Sequence, residues 1–353
     1  MKIAQIAPLY EAVPPLLYGG TERVVSHLTE ALVDQGHQVT LFAAGDAVTR
    51  AELVAPRSRS LRLDPTPLKS DLASHLALLH EVRRRADEFD VLHFHIDMLH
   101  FPIFEHMASR TLTTLHGRLD IADLPDTYAR WPQFPLASIS DDQRLALPDA
   151  NWCATVQHGV AAEDYRFDPA GGGYLAFLGR ISPEKRPDRA IAIAKAAGVP
   201  IRIAAKVDAA DRDYFVREIE PLLDHPLVEF IGEIGNERKS EFLGGARALL
   251  FPIDWPEPFG LVMIEAMACG TPVIAWRCGS VPEIVEPGVS GFIVDSLEQA
   301  VAAVGQVGQL PRAAVRAAFQ RRFTAHAMAR RYARLYWQLA SGSRAVLREE
   351  EAA

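Results

Sequence analysis

Glu257 and Glu265 are separated by seven residues in the stretch Asp254-Trp-Pro-Glu-Pro-Phe-Gly-Leu-Val-Met-Ile-Glu265, which reads as a loop feeding a helix. Pro256 and Pro258 each push the residue before them out of the helical region, so 254–259 should be a rigid non-helical loop. A helix of about ten residues should start near Gly260, because Leu261, Ile264, Glu265 and Ala268 keep helical spacing and Gly270 with Pro272 supplies the stop. The amides around Phe259, Gly260 and Leu261 then lack intrahelical acceptors and sit at the positive end of the helix dipole, a setting that suits phosphate. Glu257 would lie in the loop beside that anion, and Glu265 roughly 7.5 Å further along the axis, about the distance from a diphosphate to its ribose. Two carboxylates here would repel phosphate unless each served hydroxyls, and sugar hydroxyls are the obvious donors. The pattern points to a nucleotide-sugar.

A second group of residues is built for anions. Gly179-Arg-Ile-Ser-Pro-Glu-Lys-Arg-Pro-Asp188 follows an apolar strand pattern and precedes a helical one, placing Arg180 and Lys185 at a strand's carboxyl end. Arginine offers a planar bidentate fork and lysine a mobile point charge. Tyr18-Gly-Gly-Thr-Glu-Arg23 sits between the first strand and the first helix, where glycine lets the backbone approach a ligand and Thr21 could cap the helix. It is not the dinucleotide G-x-G-x-x-G fingerprint. His93-Phe-His-Ile-Asp97 and Thr113-Thr-Leu-His-Gly117 place imidazoles at two further strand ends. His93 and His95 share a strand face, but no carboxylate-rich ligand set accompanies them, so no metal is expected.

Glu257 and Glu265, framed by Pro258-Phe-Gly-Leu-Val-Met-Ile and by Cys269-Gly-Thr-Pro-Val-Ile-Ala275, resemble the Glu-x7-Glu signature of the retaining family 4 glycosyltransferases. The resemblance implies a GT-B fold: two doubly wound Rossmann-like α/β domains facing a central cleft, with a C-terminal helix crossing back to the N-domain. It further implies that Arg180 and Lys185 meet the donor diphosphate without metal, that Glu265 holds the ribose and that Glu257 holds donor-sugar hydroxyls. Gly20 resembles the family's first-loop glycine beside donor and acceptor. His116 resembles its active-site histidine, and Glu233 and Ile234 fall where it holds the nucleobase by backbone contacts. In the family the leaving phosphate itself assists deprotonation of the acceptor. His95 and Asp97 are weaker candidates for the acceptor side. Thr155-Val-Gln-His-Gly-Val160 departs from the family pattern, with His158 in place of the usual Asn.

The elements that must position these residues alternate. Lys2–Ala7, Gln38–Ala44, Asp90–His95, Thr111–His116, Leu136–Ser140 and Asn151–Gln157 are apolar runs of strand length, interleaved with helical patterns at Thr21–Gln35 and Leu72–Phe89. After Gly171-Gly-Gly173, read as a linker, the plan restarts at Tyr174–Leu178, with a helix near Arg189–Ala197 and strands at Ile201, Val228, Ala248, Val273 and Phe292. Mostly parallel sheets covered on both faces follow, with ligands at the strands' carboxyl ends. The expected domains are 1–165, completed by a crossing helix at 322–345, and 166–321.

A chain of 353 residues with 49% hydrophobic composition can bury two cores, and a net charge of −8 argues against a nucleic acid partner. Cys153, Cys269 and Cys278 form neither a disulfide framework nor a zinc pattern, so a cytoplasmic protein is expected. Pro311 to Ala340 carries seven Arg and no acid, interleaved with Phe319, Phe323, Tyr332, Leu335, Tyr336 and Leu339. It reads as basic amphipathic helix packing its aromatic side and exposing arginine, with contact to an anionic membrane surface the less favoured reading. The tail from Ser341, with Glu349-Glu-Glu351, is expected to be mobile. In Arg118–Pro135, Trp131 and Phe134 could each stack on a sugar or pack beneath it. The expected activity is transfer of a hexose from a UDP- or GDP-sugar, a co-substrate, with no cofactor. The acceptor would be a sugar, a lipid-linked or a small-molecule hydroxyl. The alternatives are a GT-B phosphorylase or nucleotide-sugar epimerase, or an inactive sugar-nucleotide-binding protein; a phosphorylase usually needs a pyridoxal lysine and a much longer chain.

Overall fold

The computed structural model describes residues 1–17 and 19–341; Tyr18 and the acidic tail with Glu349 to Glu351 lie outside them, as do positions 342–345 of the expected crossing helix. The chain divides into two compact units, Met1–Gly159 with Ala325–Ala353, and Val160–Thr324.

The first unit is built on seven strands, all paired in parallel. They are β1 (Lys2–Ile6), β2 (Gln38–Phe42), β3 (Glu52–Val54), β4 (Val91–Phe94), β5 (Thr111–Thr114), β6 (Leu136–Ser138) and β7 (Trp152–Thr155). Their order is β3-β2-β1-β4-β5-β6-β7, which reverses direction between β1 and β4. Strands β4 and β5 are buried along their whole length, as strands covered on both faces must be. The helix Gly20–Asp34 begins one residue before Thr21, which therefore lies in the first turn and is not its cap; Gly36, at φ 81°, lets the chain leave its end.

Helix Ala325–Ser341 belongs to this unit, and Tyr332, Leu335 and Tyr336 on its inner face are 2% exposed or less. Phe134 is buried and stacks on Phe101 at 4.1 Å, and Trp131 packs edgewise on the same ring at 6.0 Å, so Trp131 and Phe134, like the buried Tyr128, serve the core.

The second unit holds six parallel strands. They are β8 (Tyr174–Arg180), β9 (Ile201–Lys206), β10 (Val228–Gly232), β11 (Ala246–Phe251), β12 (Val273–Trp276) and β13 (Gly291–Val294). Their order is β10-β9-β8-β11-β12-β13, the same winding as in the first unit, reversing between β8 and β11. Leu175, Ile191, Ile203, Leu250 and Ile274 fill its core, each contributing about 2 kcal/mol by burial. Gly171–Gly173 lies inside this unit and is not a linker between units: a Cβ on Gly172 would fall 1.6 Å from the Gly245 carbonyl oxygen. The basic C-terminal stretch also differs from its expectation. Arg312 and Arg316 are half-buried and turn inward, Arg312 to the carbonyls of Asp168, Gly244 and Ala246 and Arg316 to those of Ala162, Tyr165 and Ala268.

Candidate active site

Arg180, Lys185, Glu257 and Glu265 follow the carboxyl ends of β8 and β11, either side of the reversal where doubly wound sheets bind ligands, whereas Glu233 and Ile234 follow the edge strand β10. The loop after β8 turns at Arg186, held at φ 53°, and then enters the helix Pro187–Ala197. It is braced to the loop after β11. The Asp254 amide donates to the Glu184 carbonyl at 2.9 Å, Arg186 Nη1 bonds Asp254 at 2.8 Å and Arg189 Nη1 reaches the Pro252 carbonyl at 3.0 Å. Across this brace the Lys185 ammonium donates to Glu257 Oε2. Trp255 Nε1 donates to the same oxygen at 3.0 Å, and its ring stands 5.0 Å from the ammonium. Lys185 and Glu257 keep 16% and 14% of their side-chain surface, so the pair is partly desolvated yet reachable.

The loop after β12 supplies a third brace. The Ser280 amide donates to the Glu257 carbonyl at 3.0 Å and Ser280 Oγ to the Phe259 carbonyl at 2.8 Å. Gly279, at φ 56°, packs so closely that a Cβ there would lie 2.4 Å from the Glu257 amide nitrogen. Gly260, at φ 79°, then turns the chain into the helix Leu261–Ala268, eight residues long where about ten were expected. The Leu261 and Val262 amides are thereby placed in the first turn, beyond Glu257 and at the positive end.

Arg180 is the last residue of β8 and keeps 30% of its side-chain surface. Its Nη2 donates to Glu184 at 2.9 Å, and Nη1 lies 3.6 Å from Asp208 and 3.9 Å from Asp211. Three carboxylates therefore surround the guanidinium as the oxygens of an anion would. Glu265 is buried. Lys239 Nζ reaches both its oxygens, at 2.9 and 3.2 Å, and the Tyr165 hydroxyl donates to Oε1 at 2.9 Å. Glu233 is exposed and Ile234 buried in the turn after β10, just before the helix Asn236–Gly244 that carries Lys239. Trp255, Tyr165, Lys239 and Ser280 were not found by sequence. Trp255 was signalled by its place in the motif, whereas Lys239 and Tyr165 have no local pattern.

In the first unit, Gly20 opens its helix at the carboxyl end of β1 and His116 follows β5. Asp97, after β4, stands at φ 50°. His116 does not stand alone. Its Nε2 meets His95 Nδ1 at 2.8 Å and its Nδ1 meets His158 Nε2 at 3.4 Å, while His95 Nε2 lies 2.8 Å from Gln5 Oε1. His93 is hydrogen-bonded through Nδ1 to the Tyr336 hydroxyl and through Nε2 to Thr114 Oγ1, each at 2.7 Å. Among the described residues no group of three His, Cys, Asp or Glu is arranged to hold a metal ion, and His93 and His95 engage protein partners at both ring nitrogens. Burial pushes His116 down to about 3 and holds His93, His95 and His158 well below the usual imidazole range, so the cluster is uncharged. Gln5 was missed, although a Gln inside an apolar central strand is a signal, and Tyr332 and Tyr336 were expected as packing aromatics without their hydrogen bonds.

Two family profiles match the chain, one per unit: Glycosyltransferase Family 4 over residues 18–163 and Glycosyl transferases group 1 over residues 167–318. The D-inositol 3-phosphate glycosyltransferase of Mycolicibacterium smegmatis is 38% identical over 131 residues, 36% of this chain and 30% of that enzyme. Its counterpart in Mycobacterium bovis is 35% identical over 37% of this chain and 28% of the enzyme. The matched stretch thus spans under a third of the curated relatives' length. AviGT4, a glycosyltransferase involved in avilamycin A biosynthesis, superposes with a TM-score of 0.73 at 26% identity over 97% of this chain and 98% of its own. Sucrose-phosphate synthase from Thermosynechococcus elongatus shares the fold, with a TM-score of 0.76 at 21% identity over 97% of this chain and 100% of its own. Anabaena HepE, solved with UDP and glucose, shares it at 0.72 and 20% identity, over 96% and 100% of the two chains. With one profile on each unit, Glu257 and Glu265 at the reversal of the second sheet and GT-B relatives matching almost end to end, the chain belongs to the group 1 glycosyltransferases of GT-B fold.

Proposed function

We propose that this chain is a retaining, metal-independent transferase of the cytoplasm. It would move a hexose from a nucleoside-diphosphate sugar, UDP or GDP, to a hydroxyl of a sugar, lipid-linked or small-molecule acceptor. The observation that carries this reading is the pairing of Lys185 with Glu257 inside three mutually braced loops. A diphosphate arriving at the first turn of helix Leu261–Ala268 is a stronger partner for Lys185 than a single carboxylate. Its arrival frees Glu257 to accept from sugar hydroxyls, so one exchange of partners readies both groups. Arg180 exchanges Glu184 and Asp208 for phosphate in the same way. Glu265 receives the ribose, Glu233 and Ile234 bound the base, and Gly20 and His116 meet the sugar. The bond from the anomeric carbon to the diphosphate breaks, the acceptor oxygen bonds on the same face, and the acceptor proton passes to the leaving phosphate. Arg180, Lys185 and the helix amides balance the developing charge. The solved complexes of HepE with UDP and with UDP-glucose support the donor class.

Nucleoside diphosphate release from UDP-, GDP-, ADP- and dTDP-sugars tests the reading, with Lys185→Ala and Glu257→Ala alongside. Release from one donor that both substitutions reduce by about a hundredfold or more is the expected result. Silence across the panel without saturable nucleotide binding overturns it, and full turnover by Lys185→Ala overturns the diphosphate assignment.

A further inference from the structure

The buried polar groups of the first unit form one uninterrupted chain of hydrogen bonds, and Gln5 sets its direction. An amide oxygen only accepts and an amide nitrogen only donates. Gln5 turns Oε1 to His95 Nε2 at 2.8 Å and Nε2 to the Tyr336 hydroxyl at 3.0 Å. His95 therefore carries its proton on Nε2 and has a lone pair on Nδ1. His116 must then donate from Nε2 to that lone pair, across 2.8 Å, which leaves its own Nδ1 bare toward His158 Nε2. On the other side Tyr336 accepts from Gln5, so its O–H is directed to His93 Nδ1. His93 in turn donates from Nε2 to Thr114 Oγ1, whose hydroxyl is left for Tyr332 at 2.9 Å. Every link points the same way from His158 to Tyr332. Reversing any single group would set two donors or two lone pairs against each other in a site almost without water, so the array keeps one polarity as a whole.

We propose that Gln5, His95 and Tyr336 are positioning residues that hold His116 as the neutral Nε2–H tautomer, so that its ring offers a substrate hydroxyl an acceptor at Nδ1 and no donor. This rests on the reading that His116 meets the donor sugar. The 3.4 Å separation from His158 is beyond the ordinary range and is the weakest link of the chain, the one a ligand hydroxyl displaces. The remaining links are at 2.7–3.0 Å and buried, except that of His116 to His95, which is part-buried, and they fix the ring on its inner side. The lowered basicity of all four histidines agrees with an array that carries no charge.

The test is a long-range 15N–1H correlation spectrum of the full chain labelled at histidine, assigned by single His→Gln variants. It is paired with kinetics of wild type and Tyr336→Phe. Wild type should show His93, His95 and His116 all as Nε2–H tautomers between about pH 6 and 8. Tyr336→Phe removes the acceptor of the Gln5 amide nitrogen, so both amide orientations become possible. The His95 and His116 signals should then shift together toward a mixture of tautomers. The kcat should fall about tenfold, the rate equivalent of one buried hydrogen bond, with the donor KM unchanged. His116 as Nδ1–H or imidazolium in wild type overturns the proposal. So does a Tyr336→Phe variant in which tautomer or kcat moves without the other, or neither moves. The wild-type spectrum decides the tautomer even if the variant does not fold. It does so also if wild type shows no turnover, in which case it is the transferase reading that fails.

Discussion

At the reversal of the second sheet, Lys185 is held by Glu257 and Arg180 by Glu184 and Asp208, all in side chains that keep solvent access. At the corresponding reversal of the first sheet, His95 is held by Gln5 and His93 by Tyr336, neutral groups with almost no exposure. The two sheets wind identically, so topology decides where chemistry gathers and leaves its kind open. Ion pairs near the surface exchange partners readily because water and incoming charge compete for them. A buried file of neutral hydrogen bonds has no such competitor and stays as folded. The first arrangement suits a group that must let go of one partner to take a substrate. The second suits a group that must not move.

Acid should separate the two most strongly. Burial lowers His93, His95, His158 and His100, which stacks on Phe94 of the same unit at 3.7 Å, well below the unfolded imidazole value. A depressed folded pKa gives stability that is fully present above about pH 6.5 and is lost as pH falls, because only the unfolded chain binds the proton there. Each of these histidines should remove about 1.4 kcal/mol by pH 5.5. Hydrogen exchange should accordingly show the first unit opening ahead of the second; simultaneous opening would mean that the histidines are not held neutral.

Within the second unit, Glu265→Gln leaves the Lys239 ammonium without its counterion and should lower stability by about 4 kcal/mol in denaturant unfolding. Replacing both partners together, by Lys239→Met with Glu265→Leu, should recover most of that loss. A neutral Glu265→Gln would show that this pair belongs with the exchangeable ones. Lys185→Ala should reduce kcat/KM by about 10²–10³-fold, about 3 kcal/mol of transition-state stabilisation, while the unfolding midpoint holds. A large stability loss instead would recast Lys185 as part of the scaffold. Smallest is Ser280→Ala, which removes one bond to the Phe259 carbonyl and should cost about 1 kcal/mol; thermal unfolding reads it directly.

The second site was legible because its members lie within local motifs. The proline loop, Gly260 and the two glutamates announce a strand, turn and helix that tertiary packing only had to respect. The parallel folds were legible for a similar reason, since each buried strand is a short apolar run. The edge strand β3 escaped because it has three residues and none is buried. What joins distant segments has no local pattern that names the partner: Tyr165 and Glu265 are 100 positions apart, and Gln5 and Tyr336 are 331 apart. The motif reading gave Glu265 a role without its Lys239 and Tyr165 partners. Pattern arguments describe one element at a time, and these contacts exist only after elements meet. Arg312 and Arg316 were misread as exposed because composition cannot say whether a guanidinium faces water or a row of carbonyls.

Helix Ala325–Ser341 has a further consequence, one of timing. The ribosome delivers β1 first and this helix only after all of residues 160–324. The second unit is continuous in sequence and can close as soon as it emerges. The first unit cannot. Gln5 and His93 wait for the hydroxyl of Tyr336, and Thr114 for that of Tyr332, each made more than two hundred residues later. The half made first is therefore the half finished last, and during synthesis it is the one that chaperones and proteases see open.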